Sequence, residues 1–217
     1  MPGVRPEGRP IREVQAAHKS PSGPVHGRID APVVFLSANP GYTDAARAAR
    51  WKCESDDASH KSSVVQDLYR ANYAQANIEY PFFFLDPPMG RTPAGYWCRH
   101  LFLRALRDEF QNDRFLARRI TLIDFFPYHS TRYRFVKWLS VESQKYSKDL
   151  VVEAMRRDAT IVVMRCRSAL ERAIPVLWNY NYIVAASPQS PAASPRNLLS
   201  KDGTKDGFER VVKAITG

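Results

Sequence analysis

The sequence predicts an α/β protein with helices on both faces of a four-stranded parallel sheet, in three layers. Four short apolar runs recur along the chain: 32–37, 119–125, 160–164 and 182–186. None of them alternates with polar residues, the pattern of strands buried on both faces. Helix-like stretches separate the runs, and strands alternating with helices form parallel sheets. With 217 residues, 44% of them hydrophobic, the chain suits one such domain.

Residues 1–30 carry five prolines and four glycines without periodicity and read as an irregular arm before a domain at 31–217. The first strand, 32–37, ends at the turn signal Asn39-Pro-Gly-Tyr42. A helix over 61–77 follows, with Val64, Val65, Leu68 and Ala71 facing inward. The stretch 81–93 is loop, because its prolines do not fit a helix interior. A second helix covers 94–110, with Trp97, Leu101, Leu103, Leu106 and Phe110 as its apolar positions. The second strand, 119–125, is stopped by Pro127, and the third, 160–164, leads into a helix at 167–176. The fourth, 182–186, empties into the Ser/Pro-rich loop 187–197, and a helix at 205–215 closes the chain. Ligands of such sheets bind beyond the carboxyl ends of the strands, so the segments after strands one, two and four are the candidate site.

Charge narrows the partner. Lys and Arg total 32 against 22 Asp and Glu, a net +10, which favours an anionic partner, above all nucleic acid. In the segment 128–138 cationic and aromatic side chains interleave, a composition suited to phosphates and an unstacked base. No apolar run reaches the roughly 18 residues of a membrane span. Three scattered cysteines fit neither a disulfide framework nor a zinc site, and suit a reducing bacterial cytoplasm. His18, His26, His60, His100 and His129 lack metal-ligand spacing, and the phosphate-loop, dinucleotide and nucleophile-elbow motifs are missing. Chemistry without metal or cofactor, by a monomer, is the expectation.

Four segments in order then acquire a common meaning. Strand-Ser37-Ala-Asn-Pro-Gly41 resembles the first motif of the uracil-DNA glycosylase superfamily, closest to the G-x-N-P-G form of its single-strand-selective and mismatch-specific branches. Pro81-Phe-Phe-Phe-Leu-Asp-Pro-Pro-Met-Gly90 is similar to the segment that bears the base-stacking phenylalanine. Leu122-Ile-Asp-Phe125 matches the strand end where the family has its base-reading asparagine. Ser194-Pro-Arg-Asn197 resembles the H-P-S-P-R-N loop that enters the minor groove. The resemblance spans roughly 32–215. It implies that Asn39 aligns the attacking water, that Phe84 (or Phe83) stacks on a flipped base, and that Asp124 reads its edge. Tyr42 walls the pocket, Ser194, Arg196, Asn197 and Leu198 (with Leu199) supply the wedge, and Arg132, Arg134 and Lys137 hold phosphates.

Two departures shape the expected reaction. The family's loop histidine is replaced by Ser187 or Ala192, depending on gap placement, which leaves His129 as a substitute. Asp124 stands where asparagine both donates and accepts, whereas an ionised carboxylate only accepts. Cytosine's amino group is the donor that such a group reads. The sequence therefore points to a monofunctional DNA glycosylase for a C5-modified cytosine, as in some phage genomes, which would make it a defence enzyme. A uracil or mismatched-thymine glycosylase, and a catalytically silent DNA-binding module, are the alternatives.

Overall fold

The computed structural model describes residues 25–39, 41, 43–126, 142–190 and 192–217. The sheet has six strands in the order β1-β3-β2-β4-β5-β6 and is mixed rather than wholly parallel. Its centre is the expected parallel set: β2 (Val33–Ser37), β3 (Ile120–Asp124), β4 (Thr160–Val163) and β5 (Ile183–Ala185). Two antiparallel edges were not foreseen. β1 (Val25–Gly27) pairs with β3, and β6 (Leu198–Ser200) pairs with β5. The ordered sheet thus begins inside the expected arm, and the expected wedge loop ends as a strand. At three residues each, both edges are too short to show period-two patterning.

Strand alternation divides the core in two. Val33 and Phe35 join Ile120, Leu122 and Val162 on one face, covered by α3 (Ser63–Tyr73), α5 (Arg104–Phe110), α6 (Asp113–Ala117) and α9 (Gly207–Thr216). Val34 and Leu36 join Ile123, Ile161 and Val163 on the other, under α7 (Glu142–Arg156) and α8 (Arg167–Ala173). Helices on both faces give three layers.

The helices depart from expectation at their ends. The stretch expected as a helix over 61–77 is broken at Ser62 into α2 (Asp56–Lys61) and α3. Val65, Tyr69 and Asn72 form the buried stripe of α3, while Val64 is half exposed. The helix expected over 94–110 is three pieces: α4 (Pro93–Trp97), a π-helical turn at Cys98–Phe102, and α5. That wide turn rotates Leu101 outward to 45% exposure and seats Phe102 edge-on against Phe35. Within 81–93 the chain makes two 3-10 turns, Phe83–Leu85 and Pro87–Arg91. Pro175 ends α8 early. No described helix is long and apolar enough to cross a membrane.

Two glycines set close approaches. Gly27, at φ +113°, lies where a Cβ would meet Thr121 Oγ1 at 2.6 Å. A Cβ at Gly95 would fall 1.9 Å from the Met89 carbonyl oxygen, so only glycine lets α4 start against that turn. Thr92 fixes the same junction, accepting from the Gly95 amide and donating to the Met89 carbonyl.

Candidate active site

Register brings the site together. Ser37 lies beside Asp124 at the carboxyl ends of β2 and β3, and β4 flanks β2 on the other side. The chain leaves β2 for β3 on one side and reaches β4 on the other, so this is a switch point in strand order, where open α/β sheets bind ligands. A cavity of about 300 Å³ lies there, with Ser37, Asn39, Phe84, Asp124, Cys98 and Arg165 in its walls. α1 (Ala45–Arg50), its C-cap Trp51, and α2 add Arg47, Asp56 and His60 to the walls.

Three residues expected to act on a base therefore share one cavity. Asn39, two residues past β2, is 9% exposed and engaged in contacts of its own. Phe84 reaches the cavity from the 3-10 turn. Phe83 stands behind it, its ring 4.4 Å from that of Phe84 and edge-on to Tyr69, in the core. Asp124 ends β3 at 2% exposure.

His26 is the residue that sequence reading placed in the arm and missed. It sits opposite Leu122 in the antiparallel β1–β3 pair. Side chains two apart share a face, so Leu122 and Asp124 both lie on the His26 side, and diagonal neighbours come within reach of long side chains. His26 Nε2 is 3.4 Å from Asp124 Oδ2, and its ring lies 4.8 Å from that of Phe84. Both residues of the pair are 2% exposed. The available signal was the pattern Val25-His-Gly27, too short to separate from the arm.

β1 is clamped in place. Asn72 of α3 accepts from the Gly27 amide at 3.2 Å and donates to the Val25 carbonyl at 3.0 Å. Thr121 Oγ1 donates to the His26 carbonyl at 2.9 Å.

Burial and charge set the remaining groups. Burial lowers the Arg165 pKa, and its Nε has no hydrogen-bond partner among the described residues. Burial, reinforced by Asp124, pushes the Cys98 thiol well up, and burial raises Tyr69 likewise, so both are neutral. Asp56 accepts a short hydrogen bond from the Thr43 amide. Among the described residues no group of three or more His, Cys, Asp or Glu is arranged to hold a metal ion.

The wedge residues lie apart from these walls. Leu198 is fully buried in β6 opposite Ala185, so it anchors the strand instead of projecting. Asn197 braces the loop from within, accepting from the Ser187 amide at 2.7 Å and donating to the Ala192 carbonyl at 2.9 Å. Ser194 turns the chain, its carbonyl accepting from the Asn197 and Leu198 amides. Arg196 is the exposed side chain of the four. Tyr42, His129, Arg132, Arg134 and Lys137 lie outside the described residues. Comparisons with protein-family models, with curated proteins and with solved structures found no match.

Proposed function

We propose that the protein is a monofunctional DNA glycosylase with a uracil-DNA glycosylase-like fold, acting on a flipped-out, C5-modified cytosine and leaving an abasic site. The observation that carries this reading is the convergence of Asn39, Phe84 and Asp124 on one cavity at the sheet's switch point. A base taken out of the helix needs a stacking face, an edge reader and an attacking water. Phe84 supplies the face, the Asp124 carboxylate accepts from the amino group, and Asn39 orients the water. Asp124 is repelled by uracil O4, which sets the preference for a cytosine edge. Its only side-chain neighbour within ion-pair distance among the described residues is His26. Asp56, Ser59 and His60 line the same cavity and supply polar groups to meet a substituent at C5. A pocket that requires that substituent spares ordinary cytosine, as a phage-defence enzyme must. The net charge of +10 draws the protein to DNA without selecting sequence.

The test is an abasic-site assay with oligonucleotides carrying uracil, thymine opposite guanine, or methyl-, hydroxymethyl- and glucosyl-hydroxymethylcytosine, followed by alkali. Strand cleavage confined to a modified cytosine is the expected result. Cleavage at uracil keeps the enzyme class and rejects the substrate. Binding without cleavage of any oligonucleotide rejects the enzyme.

A further inference from the structure

We propose that His26 and Asp124 act as a pair that delivers a proton to the departing base. The proposal rests on the glycosylase reading above. A cytosine-type base leaves poorly as an anion. The edge that offers its amino group to a carboxylate also presents N3, an acceptor, beside it. A carboxylate that accepts from the amino group in the ground state, and passes the proton of the pair to N3 only as the bond breaks, therefore reads the base and then improves the leaving group.

The geometry supplies that proton. His26 Nε2 lies 3.4 Å from Asp124 Oδ2, within ion-pair distance, and both side chains are 3% exposed, so the two groups are neighbours shielded from solvent. An imidazolium beside a carboxylate and a neutral imidazole beside a carboxylic acid differ only in the position of that proton. Phe84 and Phe83, at 4.8 and 5.7 Å from the imidazole ring, hold it against the cavity and exclude water. The other titratable groups lining the cavity are Arg47 from α1, Tyr69 from α3, Cys98 from the π-helical turn, Asp56 and His60 from α2, and Arg165 after β4. Burial raises Tyr69 and Cys98, so both stay neutral, and Arg165 brings a positive charge to the same cavity.

The step balances. The N1–C1′ bond breaks with its electron pair staying on the base, while N3 gains the proton carried by the pair, so the base departs neutral. The water oxygen bonds C1′, its released proton passes to solvent, and the pair recovers a proton from solvent. His26 acts through Asp124 and is in that sense a positioning residue that holds the proton.

The experiment is single-turnover base release across pH for the wild-type protein, His26→Gln and His26→Asn, on a modified-cytosine oligonucleotide. Gln keeps an amide donor near Nε2 but carries no transferable proton, and Asn does not reach Asp124. The expected result is release that falls as pH rises in the wild type. His26→Gln should be slower by about 10²–10⁴-fold, the usual contribution of general acid catalysis, with that pH limb flattened and oligonucleotide affinity kept. Histidine ring NMR then reads the pair independently of turnover, and Asp124→Asn should shift the His26 titration. Wild-type rate and pH profile in His26→Gln, or a His26 titration blind to Asp124→Asn, overturns the pair while leaving the glycosylase reading intact. If the wild type releases no base from any oligonucleotide, the glycosylase reading falls and the pair with it.

Discussion

Asp124→Asn is the substitution that separates edge reading from mere burial. The amide has the shape of the carboxylate, so His26 Nε2 still faces an oxygen or nitrogen at the site now 3.4 Å away, and the 2% exposed position gains no void. Stability should therefore stay within about 1 kcal/mol, or about 2–4 °C in Tm for a chain of this size. Specificity should not. A well-placed contact to a base edge discriminates by about 1–3 kcal/mol, that is about 5–150-fold. The substitution loses such a contact to the cytosine amino group and gains one to uracil, because the amide both donates and accepts. The two changes multiply, so the cytosine-to-uracil preference should fall by roughly 30-fold to 10⁴-fold. The assay is single-turnover release from paired oligonucleotides that differ only in the base, with thermal unfolding as the control for fold. An unchanged ratio in a folded variant would refute the assignment of Asp124 to the base edge.

Other consequences follow from single positions. Gly95→Ala forces a methyl group to within 1.9 Å of the Met89 carbonyl oxygen, and denaturant unfolding should show a loss of at least about 3 kcal/mol, the upper range of overpacking costs. Asn72→Ala leaves the Gly27 amide and the Val25 carbonyl of β1 without their partner; at about 1–3 kcal/mol for each group it should destabilise the fold, and hydrogen exchange should rise first at β1. Phe84→Leu removes the aromatic stacking face while keeping an apolar side chain in the cavity wall, and should lower base release far more than it lowers Tm. Arg196→Ala removes one exposed cation, and the slope of log affinity for DNA against log salt should fall by about 1.

The centre of the fold was legible because burial on two faces leaves a strong mark. Val33–Leu36, Ile120–Ile123 and Ile161–Val163 are fully apolar apart from Thr121, and they form the parallel core in the expected places. The edges were not, because an edge strand of three residues has no period to detect. Val25-His-Gly27 is held by side chains from far along the chain, Asn72 and Thr121, and nothing local announces that clamp. Helix 94–110 misled for a related reason. Its apolar spacing is helical on both sides of the π-helical turn, and the extra residue that turns Leu101 outward shows only once Phe102 has packed against Phe35. In the site, Asn39, Phe84 and Asp124 were singled out because their segments resemble motifs of the uracil-DNA glycosylase superfamily, and the fold brings all three to one cavity. His26 and Arg165 were not, since a lone His in an arm and a lone Arg after a strand carry no pattern of their own.

Charge is distributed in two regimes, to which the proposed function assigns different parts of recognition. The chain carries a large positive excess, and Arg47 lies exposed in the cavity's wall. The buried part of the cavity wall instead presents carboxylates, Asp124 at the end of β3 and Asp56 at the start of α2. Positive surface charge binds any phosphate backbone and so fixes position without choosing a base. A carboxylate in the same cavity works against phosphate entry but accepts from a base that offers an amino group. A pocket built only to hold an anion would place its cations inside, and here the inner cation Arg165 shares the cavity with two acids and two imidazoles. That arrangement favours a neutral, donor-bearing ligand delivered by an anionic chain, which is what a flipped nucleotide is. Reversing the interior sign with Asp124→Lys should therefore abolish base selection while leaving salt-dependent DNA binding, and equal loss of both would mean that the cavity and the DNA-binding surface are not separate functions.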